Sequence, residues 1–235
     1  MTKPSAGERN YHVMYQLVQG APAELRETLG LSKMKIEDFD YLKKSGCTSI
    51  DGVDDGEEYD IMVKALNDVN ILQDEQENIF KIVAAILHLG NVHFVDVGDR
   101  ESEIIPPEDD YDALEWASRL LQIDKDKMSA TLTLATFQSQ RRGGMVLKIG
   151  MSADTAQHMK DALARYIYSH LFEWLVWRVN ESIAVDMGEE QKNEIASSIG
   201  VLDIFGFEVF PENSFEQLCI NYTNEVLRMT LNVPH

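Results

Sequence analysis

The 235 residues carry 40 acidic against 21 basic side chains, a formal charge of -19, within an ordinary globular mix of 44% hydrophobic and 26% charged residues. A surface that negative excludes non-specific binding to nucleic acid or to an anionic membrane, save through a local basic patch. Two cysteines, Cys47 and Cys219, exclude a disulfide framework and fit no metal-site spacing, and no stretch supplies the roughly 18 apolar residues of a membrane span.

In chain order, Met1 to Asn10 has no apolar core and does not read as a secretory signal, so the expected setting is the cytosol. Tyr11, Met14, Tyr15 and Val18 recur at helical spacing and predict a first helix closed by Gly20 and Pro22. Pro22 to Gly30 and Leu31 to Leu42 read as two short helices. Ser45 to Gly56 is a run of turn formers with three glycines. It is not a calcium loop: with Gly56 at the sixth position, Val53 falls where an oxygen ligand is needed and Met62 where the bidentate carboxylate belongs. Helices are predicted over Glu57 to Val69 and Asp74 to Leu89, the second starting on acids that suit the positive end of its dipole. Its second half, Ile82 to Leu87, is apolar nearly all round and predicts a central helix.

Asn91 to Val97 reads as a strand, and Asp99 to Asp110 as an acidic, solvent-facing loop. Tyr111 to Leu121 and Lys125 to Thr133 read as helices. Gln138 to Gly144 is the locally basic turn, with Met145 to Ile149 a strand after it. Ser152 to Ile183 has apolar residues at three- and four-residue spacing and no breaker, which predicts one helix of about 30 residues. An acidic loop over Asp186 to Glu194 precedes a strand at Ile199 to Ile204, and Pro211 to Ser214 leads into a last helix from Phe215. The fold class expected is mostly α with a few β-strands, too scattered to close a sheet of their own. His12, His88 and His93 are expected to be packed or hydrogen-bonded rather than metal ligands. Trp116, Trp174 and Trp177 read as core or helix–helix contacts, and Cys219 as a small buried hydrophobe.

Chemistry concentrates in Val201-Leu202-Asp203-Ile204-Phe205-Gly206-Phe207-Glu208. A carboxylate at a strand's end can hold a magnesium-bound water. A glycine three residues on can aim its N–H at a terminal phosphate, and a second acid can fix a partner arginine. Taken alone, Asp-x-x-Gly also fits a strand that simply leaves through a glycine turn.

The surrounding blocks decide between these readings. They are Glu8 to Leu17, Ser45-Gly46-Cys47 with Asp51 to Asp55, Ile79 to Asn91, Asp161 to Arg165, and Val201 to Glu208 running on through Asn213 to Glu225. In order and wording they resemble the myosin motor head. The resemblance implies a fragment of the α/β P-loop NTPase fold of that motor domain: residues 8–198 from the upper subdomain, 199–210 a central-sheet strand and the second switch, and 213–235 the start of the relay helix. It implies that Asp203 sits near magnesium through a water, that Gly206 senses the terminal phosphate, and that Glu208 pairs with a first-switch arginine to place the attacking water. Asn213, Phe215 and Glu216 become candidates for coupling, although helix capping by Asn213 or Ser214 and packing by Phe215 are the blander roles. Arg141, Arg142 and Lys148 would face the acidic actin filament. The position where many myosins carry an acid or a phosphorylatable hydroxyl falls at Met145 or Gly144, neither of which can bear that charge.

A Gly-rich phosphate loop ending in Lys-Ser/Thr and a first switch do not occur in the 235 residues. The expected function is therefore a share in an actin-based, ATP-driven motor of the cytoplasm and cytoskeleton. Mg-ATP would be the cofactor of the complete motor, and the actin filament and the remaining head segments the partners. The isolated chain is expected not to hydrolyse ATP; the alternative is a non-enzymatic actin- or protein-interaction fragment.

Overall fold

In a computed structural model, which describes residues 2, 4, 7–107, 110–138, 146–184, 204 and 206–231, the chain divides into two units, Met1–Ala184 and Val185–His235. The first holds helices α1 (His12–Gly20), α2 (Ala23–Thr28), α3 (Asp40–Lys43), α4 (Asp55–Asp68), α5 (Gln73–Gly90), α6 (Ala113–Leu120), α7 (Lys125–Thr133) and α8 (Ala153–Ile183). Two antiparallel hairpins join them, β1 (Phe94–Gly98) with β2 (Glu101–Ile104) and β3 (Leu134–Gln138) with β4 (Val146–Gly150). The described part of the second unit is a loop leading into α9 (Phe215–Leu231). Mostly α with a few strands is the observed class, and the described strands form only two two-stranded sheets.

The predicted central helix is central. Every residue of α5 from Val83 to Gly90 is buried, and the α5 side chains Ile86, Leu87 and Leu89 are fully so. Each such side chain contributes about 1.5–3 kcal/mol of apolar transfer. Helices α1, α3, α6 and α8 pack around it. The end of α5 is held by Lys160 of α8, whose buried Nζ donates to the carbonyls of Gly90 and Val92 at 2.8 and 2.9 Å. Burial lowers the pKa of this ammonium to about 8, which still leaves it charged at neutral pH. Beside it, Tyr41 donates its hydroxyl proton to Asp161 at 2.7 Å.

Three helices stop on one backbone device, the Schellman turn, in which two N–H groups close back on the last turn's carbonyls. After α2, Leu31 N–H reaches the Arg26 carbonyl and Gly30 N–H that of Glu27, at 2.7 and 3.1 Å. After α4 and α6 the left-handed position is taken by Asn70 and Gln122, both at φ 55. Gly30, at φ 71, is the one of the three that cannot change. A Cβ there would lie 2.5–2.7 Å from the Trp116 ring. Gly30→Ala is expected to cost about 2–4 kcal/mol, combining left-handed strain with a displaced indole. A chemical melt reads this as a lower midpoint with unchanged slope.

Several sequence expectations give way here. Leu31 to Leu42 is not one helix but a 3-10 turn (Ile36–Asp38) followed by the four-residue α3. The Asp38 carboxylate accepts the Lys35 N–H at 2.7 Å, a local bond that competes with helix propagation. The acidic segment after Asp99 is not all loop. Glu101–Ile104 pairs with β1, exposing Glu101 and Glu103 while Ser102 is buried and Ile104 half-buried. Reading charge rather than period-two alternation hides such a strand. Strand β3 follows α7 with no breaker residue, and its pairing with β4 supplies the hydrogen bonds that helix would otherwise have made. His12 and Trp177 are exposed rather than packed, whereas His88, Trp116 and Trp174 lie within or against the core. The strand expected at Ile199 to Ile204 lies outside the described residues except for Ile204, and so does the acidic segment around Glu189; around Asp109, residues 105–107 and 110 are exposed and residues 108 and 109 lie outside the described residues.

Candidate functional site

Ser214 precedes the first residue of α9, and its N–H donates to Gln217 Oε1 at 2.8 Å, one half of a capping box. The Ser214 hydroxyl donates to Glu216, which holds that carboxyl below the usual glutamate range and suits an acid in the first turn of a helix. One stripe of the helix then presents three amides at i, i+4 and i+7: Gln217, Asn221 and Asn224. All three turn to the preceding loop.

Asn221 meets the backbone of Glu208 twice. The Glu208 N–H donates to Asn221 Oδ1 at 2.8 Å, and Asn221 Nδ2 donates to the Glu208 carbonyl at 2.8 Å. Asn224 Nδ2 reaches the Gly206 carbonyl at 3.3 Å, and Gln217 Nε2 reaches Glu208 Oε2 at 3.4 Å. Asn213 makes a second reciprocal pair with Phe210, accepting its N–H at 3.0 Å and donating to its carbonyl at 2.6 Å. Glu208 is half-buried and Gly206 exposed. Among the described residues no atom stands within 4 Å of where a Gly206 Cβ would lie, so the backbone there is open to close approach from their side.

Of the residues picked out by sequence, Gly206, Glu208 and Asn213 come together on this loop. Glu216 lies in the first turn of α9. Phe215 is 74% exposed, so it is not packed within its unit, and Cys219 is exposed rather than buried. Asp203 falls outside the described residues, as do Arg141, Arg142, Gly144 and Met145. Lys148 belongs to the first unit, on β4 opposite Thr136 and exposed between the exposed Leu147 and Ile149. Sequence reasoning gave no role to Gln217, Asn221 or Asn224. Their signal was available as three amides on one helical stripe.

Chemically, the loop offers a half-buried carboxylate and an approachable backbone, and among the described residues no cationic side chain is bonded to either. Among the described residues no group of three or more His, Cys, Asp or Glu side chains is placed to hold a metal ion, and no helix is long and apolar enough to cross a membrane.

Comparison with known proteins supplies the context. A family model described as "Myosin head (motor domain)" matches residues 1–233. The protein named "Myosin-1" of Aspergillus clavatus is 37% identical over 223 residues, 94% of this chain and 17% of that protein. "Myosin-1" of Vanderwaltozyma polyspora is 38% identical over 224 residues, with the same coverage. "Myosin-1" of Eremothecium gossypii is 39% identical over 224 residues, 94% of this chain and 16% of its own length. The chain thus spans about one sixth of the curated relatives it matches.

Proposed function

The chain belongs to the myosin head family, and from that premise we propose that it contributes part of an actin-based, ATP-driven motor working in the cytoplasm on the cytoskeleton. Residues 8–198 are read as a portion of the upper subdomain, 199–210 as a central-sheet strand with the second switch, and 213–235 as the opening of the relay helix. On this reading Gly206 meets the terminal phosphate and Glu208 closes the site behind the attacking water. Asp203 stands near magnesium through a water. Arg141, Arg142 and Lys148 face the actin filament; Asn213, Phe215 and Glu216 belong to the coupling path.

One observation carries the coupling part of this reading. The Gly206 to Phe210 loop is bonded to α9 by side-chain amides at both of its functional residues. A shift of that loop is therefore felt by the helix directly. Phosphoryl transfer relies on positioned charge and donors, and on this reading the chain supplies the Gly206 backbone and an acidic wall. The phosphate cradle, which supplies the lysine and the magnesium hydroxyl ligand when Mg-ATP is bound, must come from head segments other than these 235 residues. The absence of that motif from the sequence also favours a second reading, a non-enzymatic piece that binds actin or another protein.

The test compares this chain with a complete head that includes it. Calorimetric titration and phosphate release should show binding of Mg-ATP by this chain no tighter than about 1 mM, roughly -4 kcal/mol, and no turnover. The complete head should bind and hydrolyse ATP. There, Glu208→Ala should leave binding intact and cut turnover about a hundredfold or more. Unchanged turnover in that variant would remove the role given to Glu208. Actin cosedimentation of this chain without ATPase in the complete head would favour the second reading.

A further inference from the structure

We propose that Asp51 is a site of spontaneous covalent modification: its carboxyl and the Gly52 amide close to a succinimide that reopens to isoaspartate, while the fold keeps the chain's other Asp-Gly pair, Asp55-Gly56, from the same reaction. This chemistry goes beyond the motor reading and does not depend on it.

The reaction needs only the chain and water. The Gly52 nitrogen attacks Asp51 Cγ; the N–Cγ bond forms, and the carboxyl hydroxyl leaves with the amide proton as water. A water molecule then adds to one of the two ring carbonyls. Opening at Cγ restores aspartate. Opening at the α-carbonyl breaks the original peptide bond and leaves the main chain running through Cβ and Cγ, with a free α-carboxylate and no net change in mass. Closure asks for a carboxyl held by nothing else, an N–H free to give up its proton, and a backbone that can turn. Glycine adds the turning freedom and puts no side chain beside the nitrogen.

Asp51-Gly52 meets these conditions. The pair is exposed at the centre of the Ile50 to Val53 turn, where Gly52 stands at φ 78 and the Val53 N–H donates to the Ile50 carbonyl at 3.1 Å. That is a type II turn with glycine at its third position. Among the described residues neither the Asp51 carboxylate nor the Gly52 N–H has a hydrogen-bond or ionic partner, and no atom stands within 4 Å of where a Gly52 Cβ would lie. Asp55-Gly56 has the same two residues and fails throughout. Asp55 is buried, with both oxygens accepting from Arg9 Nη2. The Gly56 N–H donates to Asp54 Oδ1 at 2.8 Å. Both residues lie in the first turn of α4, so closure there would break the ion pair, the cap and the helical backbone together. Two identical dipeptides four residues apart are thus set apart by packing alone.

The test ages the full chain at neutral pH, with and without urea, and then separates the mass-neutral isoaspartyl peptides after proteolysis. In the native chain isoaspartate should accumulate at residue 51 at least about tenfold faster than at residue 55, the factor expected from even one hydrogen bond that must be broken first. In urea, where Arg9 no longer holds Asp55, the two rates should converge. Asp51→Glu, whose carboxyl would have to close a six-membered ring, should abolish the product at residue 51. An isoaspartyl O-methyltransferase with its sulfonium methyl donor should label the aged wild type and not this variant. The proposal is overturned if residue 55 keeps pace with residue 51 in the native chain, if residue 55 stays unreactive in urea, or if native residue 51 is unchanged over a time that converts a short Asp-Gly peptide. ATP hydrolysis by a complete head has no bearing on any of these readouts.

Discussion

Asp55→Ala is expected to destabilise the first unit by about 3–5 kcal/mol, enough to unfold a marginal domain at physiological temperature. Asp55 is the first residue of α4, and both its oxygens accept from Arg9 Nη2 at 2.7 and 2.9 Å. The pair is almost wholly inside, with side-chain exposures of 2% for Arg9 and 5% for Asp55. The guanidinium also lies 3.9 Å above the Tyr15 ring. Among the described residues its buried Nε and Nη1 have no hydrogen-bond partner, so Asp55 is the acceptor on which the buried cation depends. Removing that acceptor leaves a desolvated charge against an aromatic face, and cation–π attraction offsets only about 2 kcal/mol of the cost. Taking both charges away is different. Arg9→Met with Asp55→Leu should recover most of the loss, because no uncompensated ion remains. Urea melts of the two singles and the double measure this; a single-variant loss below about 1 kcal/mol would show the pair to be dispensable.

Acid should weaken the same unit well before carboxylates titrate. His88 is fully buried on α5, and its ring nitrogens lie 2.9 Å from the Tyr111 hydroxyl and 2.8 Å from the Leu29 carbonyl. A carbonyl can only accept, so Nε2 carries the proton and Nδ1 accepts from Tyr111. Both contacts are thus satisfied by the neutral ring. Burial pushes the pKa down from 6.5 to about 4, against a smaller upward pull from the Leu29 carbonyl. Between those two values the unfolded chain binds the proton and the folded chain does not, so stability falls as pH drops from about 6.5 towards 4. The full span amounts to about 3 kcal/mol, of which about 2 kcal/mol should be lost by pH 5. Glu75 and Asp112, both held below their usual range, add their own losses only at lower pH. Melts at pH 7, 6 and 5 should show this slope, and His88→Gln should flatten it despite being less stable at neutral pH. A flat wild-type profile over that window would mean that His88 is not held neutral by the fold.

How much of this was readable in advance depends on the range of the interaction concerned. Helical spacing alone placed the long α8 and the central α5, because an unbroken apolar pattern leaves few other ways to bury it. The ordered blocks from Glu8 to Glu225 carry the family by residue order alone. Local competition was harder to read. The bond from Lys35 N–H to Asp38 broke an expected helix, and period-two alternation beneath the acidic Glu101 and Glu103 hid a strand.

Residue order and short-range pattern suffice for the family, the helical class and the candidates Gly206 and Glu208. Tertiary structure alone decided the partners. The Arg9–Asp55 pair joins residues 46 apart, the His88–Leu29 bond residues 59 apart, and the Lys160 cap of α5 residues 70 apart. Nothing local in the chain favours such contacts until packing brings their elements together and removes the water that would otherwise have met their polar groups. The pair of bonds between Asn221 and the Glu208 backbone lies between the two cases. Its helical stripe is legible in the sequence, but only the fold turned that stripe towards Glu208.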